Sequence, residues 1–166
     1  MFKVSQAIEI ECSQKRVFAF AGDYSKDPAW RSGVLSMDYE TSGPPTFRLR
    51  TKERMRSLGI SATTVAEVIE YSPTRTSFRS VSGPVSCSGS REFSACPAGT
   101  RFTYTLILKS SGLTRLIDPL LSIFLAWQLT RDLRRLKRLL ENMSQEDHSI
   151  STLPGSPALP AWDEHK

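Results

Sequence analysis

Apolar and polar residues alternate with a period of two through most of this chain. The first run, 4–11, places Val4, Ile8 and Ile10 on one side, with Gln6 as the polar exception. Clusters of Gly, Pro and Ser interrupt the later alternation, as is typical of turns. They delimit six further runs, at about 34–40, 46–56, 60–71, 75–82, 85–95 and 100–110. The pattern predicts seven strands, the last six forming an antiparallel meander.

Two short helical segments are predicted between the first and second strands. Ser13 can cap a helix over 14–21, because its hydroxyl can accept hydrogen bonds from the first free helix amides. Residues 24–30 follow as a second helical turn or loop, with Pro28 fixing the backbone.

A long amphipathic helix is predicted near the C-terminus, because apolar residues recur every three or four positions over 112–143. The dipeptide Asp118-Pro119 allows two interpretations. It can be the N-cap and first residue of the main helix, or Pro119 can kink one helix that runs from about residue 113. We expect a kinked or two-part helix.

The length of 166 residues and the 39% hydrophobic content are ordinary for one globular domain. After Met143 the periodicity stops and Ser, Thr and Pro become frequent. We therefore assign residues 1–143 to one α+β domain and predict a disordered tail over 144–166. The net charge is +5, and the tail is acidic, so the excess of basic residues belongs to the domain.

Several functional classes are disfavoured by what the chain lacks. Cys12, Cys87 and Cys96 are odd in number and have no CxxC spacing, so neither a disulfide framework nor a zinc site is indicated. Both histidines, His148 and His165, fall in the predicted tail, and no glycine-rich nucleotide motif occurs. We expect no metal or nucleotide cofactor. Without an apolar leader or a long apolar stretch, we expect a cytoplasmic protein.

One strand, two short helices, six antiparallel strands and one long helix is the order of the helix-grip fold. The two ends of the domain resemble the polyketide cyclase/dehydrase branch of the START-like superfamily. The matching residues are Ile8-Glu9-Ile10, Lys15-Arg16-Val17-Phe18-Ala19-Phe20, Asp23-Tyr24, Asp27-Pro28-Ala29-Trp30, Gly99-Thr100-Arg101-Phe102-Thr103-Tyr104, Asp118-Pro119-Leu120-Leu121 and 132–141. The resemblance covers about residues 3–143. It implies a curved sheet wrapped around the long helix, with a cavity between them.

The alternation and the helical spacing predict which side chains face this cavity. From the strands they are Phe47, Leu49, Thr51, Met55, Phe93, Phe102, Leu106 and Leu108, and from the helices Trp30, Leu120, Leu121, Phe124 and Leu125. The same residues could instead form a solid core. So large an apolar set, accompanied by few polar groups, is typical of a ligand pocket.

Glu53 and Tyr104 are the candidate catalytic residues. Glu53 lies on the apolar face of its strand, and a carboxyl group buried without a partner favours its neutral form and could donate a proton. Alternatively, Glu53 reaches solvent or pairs with an inward arginine such as Arg79 or Arg91, which we include among the candidate ligand-binding residues. Tyr104 could donate a hydrogen bond to a ligand carbonyl, or be an ordinary core tyrosine.

Two basic clusters lie outside the predicted cavity. The outer face of the run over 46–56 carries Arg48, Arg50, Lys52, Arg54 and Arg56, and the long helix carries Arg131, Arg134, Arg135, Lys137 and Arg138. Such clusters could meet a membrane or nucleic acid, although solvated surfaces account for them as well.

The sequence leaves three functional hypotheses. The first is a protein that binds or carries a small lipid-like or aromatic polyketide-like ligand, and the second is a cyclase or dehydratase that uses the same cavity. The third is an interaction module that uses the basic faces. We expect the partner to be a small hydrophobic ligand rather than nucleic acid. The sequence leaves peripheral membrane contact open, and it allows either a monomer or a homodimer.

Overall fold

The computed structural model describes residues 1–40, 48–57, 59–109 and 118–151, with the backbone alone at 57 and 146–151. Its strands are β1 (Phe2–Ile10), β2 (Val34–Tyr39), β3 (Arg50–Ser57), β4 (Ile60–Tyr71), β5 (Arg75–Ser82), β6 (Ser86–Cys96) and β7 (Gly99–Lys109). Its helices are α1 (Gln14–Ala21), α2 (Asp27–Trp30) and α3 (Asp118–Ser151), with a 3-10 turn at Tyr24–Lys26 before α2. The predicted element order is confirmed.

The seven strands form one curled antiparallel sheet in the order β1-β7-β6-β5-β4-β3-β2. Register shifts occur where β2 meets β3 and at two positions between β4 and β5. Bulges of this kind increase local twist and bend a strand, which favours a curled sheet over a flat one. The predicted helix-grip architecture, with a long helix against a curved sheet, is therefore confirmed.

The alternation in β3 places its two faces as predicted. Thr51 is buried and Glu53 and Met55 are partly buried, whereas Arg54 and Arg56 are exposed. An antiparallel sheet with one face toward the protein interior and the other toward water permits this division.

Helix α3 packs through a narrow apolar stripe. Leu129, Leu133, Leu136 and Leu140 are buried, and their spacing of four, three and four residues keeps them on one face. They join Trp30 and the aromatic side chains of β6 and β7 in one core cluster. A second cluster, under β2, β3 and β4, contains Val34, Met37, Leu49, Val68 and Tyr24.

Asp118 and Pro119 both lie in the first described turn of α3. Residues 110–117 lie outside the described residues, so both interpretations of Asp118-Pro119, including the expected kinked or two-part helix, stay predictions. The C-terminal end differs from the prediction, because α3 continues past Met143 to Ser151. The apolar periodicity marks only the part of the helix that packs against the sheet. The helical backbone can therefore continue beyond the last apolar residue of the pattern. The domain boundary at 143 stays a prediction, and 152–166 lie outside the described residues.

Gly99 occupies a position in the β6–β7 turn that no other residue fits. Its φ is +126°, and a Cβ atom there would lie 2.5 Å from the carbonyl oxygen of Ile10. The turn therefore requires both the backbone freedom and the small size of glycine.

The β3–β4 and β5–β6 hairpins turn at the same end of the sheet, which we call the hairpin end. The antiparallel register places the beginning of β1 and the end of β7 there as well, since Phe2 pairs with Leu108. Helix α3 also begins there, and its Asp118 lies 3.6 Å from the N-terminal ammonium group.

All three cysteines are free. None of the helices described is long and apolar enough to cross a membrane.

Candidate functional site

A cavity of about 120 Å³ lies between the sheet and α3. Its apolar lining residues are Met37, Met55, Ala66, Phe78, Leu106, Leu108, Leu125 and Leu129. Its polar and ionisable lining residues are Tyr24, Arg31, Thr51, Glu53, Thr64, Cys87, Arg91, Tyr104, Gln128 and Asp132. One water needs roughly 10–15 Å³ on the same measure, so the cavity has room for a small molecule or for part of a larger one.

Four charged side chains of alternating sign form a chain beside the cavity, and all of them except Asp27 line it. Arg91 Nη2 lies 2.5 Å from Asp27 Oδ2, and the same oxygen accepts a hydrogen bond from Arg31 Nη1 at 2.9 Å. Arg31 also donates to both carboxylate oxygens of Glu53, at 3.0 and 3.3 Å. The two guanidinium groups and the two carboxylates balance in charge, so they can be buried together.

The short helix α2 brings this chain of charges together. Asp27 stands at its start and Arg31 directly follows its end, so one helical turn places both side chains on the same side. Arg91 comes from β6 and Glu53 from β3, strands that β4 and β5 separate. The four charges therefore connect α2 to two distant parts of the sheet.

Aromatic rings enclose Arg91 where it faces the interior. Its guanidinium carbon lies 4.2 Å from the ring centre of Tyr24, 5.1 Å from that of Tyr104 and 5.4 Å from that of Trp30. Its Nη1 donates to the carbonyl oxygen of Ala21 at 2.7 Å. Stacking on aromatic faces stabilises a desolvated guanidinium group, and the pKa of Arg91 is raised despite burial because Asp27 stabilises the charged form.

Tyr104 combines full burial with a hydroxyl group that has no hydrogen-bond partner among the described residues. Burial raises the pKa of Tyr104, although the neighbouring guanidinium groups of Arg31 and Arg91 act in the opposite direction. Its phenol therefore stays protonated near neutral pH. A buried hydroxyl without a partner is costly, and a ligand atom that hydrogen-bonds to it would remove that cost.

Helix α3 contributes two polar groups to the opposite wall. The Gln128 side-chain oxygen is buried and has no partner among the described residues. Asp132 is satisfied, because one of its oxygens accepts hydrogen bonds from the backbone amide and the hydroxyl of Ser32, at 3.0 and 2.7 Å. Gln128 therefore offers a ligand an acceptor, while Asp132 fixes the loop after α2 against α3.

The structure brings together part of the site predicted from sequence. Glu53, Tyr104, Met55, Arg91 and Leu106 all line the cavity. Thr51, Leu108 and Leu125, which we also expected to face inward, line it too. Their participation in binding or catalysis stays a prediction. The partner of Glu53 is Arg31 rather than Arg79 or Arg91.

Other predicted residues lie elsewhere. Trp30, Phe93 and Phe102 are buried in the main core cluster, and Leu49 belongs to the second one. None of the four is among the lining residues. Phe47 lies outside the described residues.

The expectation that Arg79 points inward is wrong. Its side chain is 64% exposed and lies 3.9 Å from Glu67, because β5 turns Phe78 toward the cavity and therefore Arg79 away from it. The expectation that Leu120, Leu121 and Phe124 close the cavity is also wrong. Leu120 is 72% exposed, Leu121 is partly buried but does not line the cavity, and the Phe124 ring lies beside Trp127.

Arg31 and Asp27 were not predicted as residues of the candidate site. Both belong to a helix of a single turn and its flanks, where no periodicity assigns a direction to a side chain. The only sequence signal was that Asp27 and Arg31 are opposite charges four positions apart. Gln128 and Asp132 were missed because they flank the apolar stripe of α3 rather than belong to it.

Comparison with known proteins connects the fold to a family. The family described as "Polyketide cyclase / dehydrase and lipid transport" matches residues 1–141. No curated protein sequence matches the chain.

Several solved structures share the fold at low sequence identity. A protein from Thermus thermophilus is 20% identical, with a TM-score of 0.75, over 86% of this chain and 99% of that one. A START superfamily protein from Mycobacterium smegmatis is 13% identical, with a TM-score of 0.69, over 85% and 98%. An aromatase/cyclase from a Streptomyces species is 12% identical, with a TM-score of 0.68, over 84% and 93%. At such identities the likeness concerns the fold alone.

Proposed function

Because this chain belongs to the polyketide cyclase/dehydrase and lipid transport family, we propose that its cavity binds a small, mainly apolar and uncharged ligand. The observation that carries the proposal is Tyr104, which lines a largely apolar cavity and whose buried hydroxyl has no hydrogen-bond partner among the described residues. A ligand with one hydroxyl or carbonyl group on an apolar body complements this wall. Burial of its apolar surface would supply most of the affinity, at roughly 25 cal/mol per Å².

The charges around the cavity favour an uncharged ligand over a carboxylate. Arg31 and Arg91 are the two cations among the lining residues, and both are paired with carboxylates. An anionic ligand would have to displace Glu53 or Asp27 from its arginine and leave a carboxylate in a poorly solvated place. A ketone, phenol or alcohol needs no such exchange.

Binding without turnover is the simpler function for these groups. Glu53 is held by two hydrogen bonds from Arg31, and Asp27 is held by Arg31 and Arg91. Burial raises the pKa of Tyr104 away from neutrality. General acid–base catalysis is most effective when the pKa lies near the working pH, and the buried Tyr104 phenol does not meet that condition.

A cyclase or dehydratase is the second candidate function, and one observation favours it. The Tyr104 ring lies near two guanidinium groups, with Arg91 at 5.1 Å and Arg31 at 5.8 Å from the ring centre. A proton donor beside fixed positive charge could stabilise negative charge that develops on a ligand oxygen. On this hypothesis the ligand must be a reactive polyketide-like chain, and Tyr104→Phe would abolish its conversion.

The first test is identification of what the purified protein contains, by native mass spectrometry followed by organic extraction. A stoichiometric uncharged compound is expected. In parallel, the uncharged fluorophore N-phenyl-1-naphthylamine should bind at one saturable site, and dodecanoate should compete with it poorly. An empty protein without a saturable site for the probe would contradict the proposal.

Two variants with matched controls locate the site. Leu125→Trp adds volume to the cavity wall, whereas Ile123→Trp adds the same group on the exposed side of α3. Only Leu125→Trp should abolish probe binding. Tyr104→Phe removes one hydroxyl and should weaken binding of the co-purified compound by roughly three- to tenfold. Tyr39→Phe, whose hydroxyl donates to Asp23 outside the cavity, should have no such effect.

A further inference from the structure

Large apolar side chains are exposed mainly at the hairpin end of the molecule. Those at this end are Met1, Leu35, Ile60, Val81, Val85, Leu120, Ile123 and Trp127. Only Ile69 and Met143 among the exposed large apolar residues described lie elsewhere. Scattered apolar residues need no explanation, but a collection of them at one end of a protein marks an interaction surface.

The first turns of α3 form the most continuous part of this surface. Leu120, Ile123 and Trp127 are 72%, 67% and 58% exposed, and their spacing of three and four residues places them on one helix face. Leu125 and Leu129 line the cavity on the opposite side. The helix is therefore apolar on both sides here, and the sheet covers only one of them.

Positive charge accompanies the exposed apolar residues. Lys3, Arg54, Arg56, Lys109 and Arg131 are all exposed in the segments that reach the hairpin end. In the described segments 1–5, 33–36, 54–57, 59–64, 105–109 and 118–131, the one acidic residue is Asp118, which already pairs with the N-terminal ammonium group. The hairpin end is thus both apolar and basic.

We propose that the hairpin end docks on the surface of an anionic lipid bilayer. Leu120, Ile123 and Trp127 would enter the interface between headgroups and acyl chains, and the basic side chains would contact lipid phosphates. The guanidinium carbon of Arg131 lies 5.1 Å from the ring centre of Trp127. Such a pair suits the headgroup region of the bilayer, because tryptophan concentrates at membrane interfaces. A bilayer complements this surface better than a second copy does, since two basic surfaces repel each other.

This docking surface adjoins the cavity. Met55, Leu108 and Leu125 line the cavity and belong to the segments that approach the hairpin end. Docking would bring the cavity close to the apolar layer of the membrane. The inference nevertheless rests on exposure and charge at the surface, so it can fail while ligand binding in the cavity holds.

Flotation of the full chain with vesicles tests the proposal. Binding is expected to vesicles of phosphatidylcholine and phosphatidylserine at low salt, to fall steeply with added salt, and to be weak on phosphatidylcholine alone. Ile123→Glu places a charge in the docking face and should reduce binding by roughly tenfold or more. Because Ile123 is exposed, circular dichroism should show an unchanged fold.

Met143→Glu is the matched control, since it adds the same charge to the same helix at an exposed apolar position far from the hairpin end. It should leave vesicle binding nearly unchanged. Equal losses for the two variants, or no binding to anionic vesicles at low salt, would overturn the proposal. A third outcome would also overturn it. In that outcome the chain does not bind vesicles, light scattering shows a dimer, and Ile123→Glu dissociates that dimer.

Discussion

Asp27 and Arg91 form a fully buried ion pair, with Oδ2 and Nη2 separated by 2.5 Å and neither side chain exposed. Burial of two charges is costly, and their mutual attraction and further hydrogen bonds must offset that cost. Here Arg91 also donates to Ala21, and Asp27 also accepts from Arg31. The pair connects α2 to β6 beside the cavity and is therefore both a structural element and part of the site.

Removal of one partner of this pair should strongly destabilise the protein. We expect Arg91→Met to lower the free energy of unfolding by about 3–5 kcal/mol, because it deprives the buried Asp27 of one of its two counter-charges. Urea denaturation monitored by circular dichroism measures the change. Arg101→Met is the control, since Arg101 forms an exposed pair with Glu9 that is worth under about 1 kcal/mol. Similar losses for both variants would contradict the energetic role assigned to burial.

Stability should fall at alkaline pH because a buried tyrosine must stay protonated. Burial raises the pKa of Tyr24 from 10.0 to about 12, although Arg91 acts in the opposite direction. The unfolded chain loses this proton near pH 10, so the contribution is complete below pH 10 and is lost as the pH rises to about 12. It amounts to about 3 kcal/mol. Urea denaturation at a series of pH values should show a shallower decline for Tyr24→Phe than for the native chain.

Replacement of Glu53 should change the ligand charge that the cavity prefers. Glu53→Gln removes a carboxylate from Arg31, which keeps only Asp27 as a counter-charge. We expect dodecanoate to displace the uncharged naphthylamine probe at roughly tenfold lower concentration than from the native protein. Glu67→Gln, which removes a carboxylate from Arg79 on the outer face, should cause no change. Unaltered competition by dodecanoate in Glu53→Gln would show that charge balance does not set the preference.

The thiol of Cys87 provides a reporter inside the cavity. Cys87 lines the cavity, and burial raises the pKa of its thiol, so alkylation by N-ethylmaleimide should be slow and should accelerate with rising pH. Saturation with the naphthylamine probe should block this alkylation. Cys96, at the β6–β7 turn, should react equally with and without the probe. Peptide mass spectrometry distinguishes the two sites, and equal protection of both would argue against a probe site in the cavity.

The sheet was predictable because strand alternation is a local property with a direct structural meaning. In β3 the period of two assigned Glu53 and Met55 to the inner face without knowledge of any neighbour. In β5 the same alternation places Phe78 on the inner face and Arg79 on the outer face. The expectation that Arg79 points inward did not follow the alternation, and it was wrong.

The helices were less predictable at the level of side chains. The first half of α3 carries apolar residues on every side, so periodicity could not separate Leu120, which is exposed, from Leu125, which lines the cavity. The link between Arg31 and Glu53 joins residues from a loop and a distant strand. Such a contact depends on the three-dimensional fold, and neither spacing nor composition contains it.

Helix α3 is attached to the rest of the protein mainly through its second half. There Lys137 donates to the carbonyl oxygen of Glu9 at 2.8 Å, and Glu141 accepts from the amide of Glu11 at 2.9 Å. Leu140 is buried on the same stretch, whereas Leu120, Ile123 and Trp127 near the start of the helix are largely exposed. A small rotation of α3 about this second half would therefore displace its first turns most. Amide hydrogen exchange should therefore be faster near Ile123 than near Leu140.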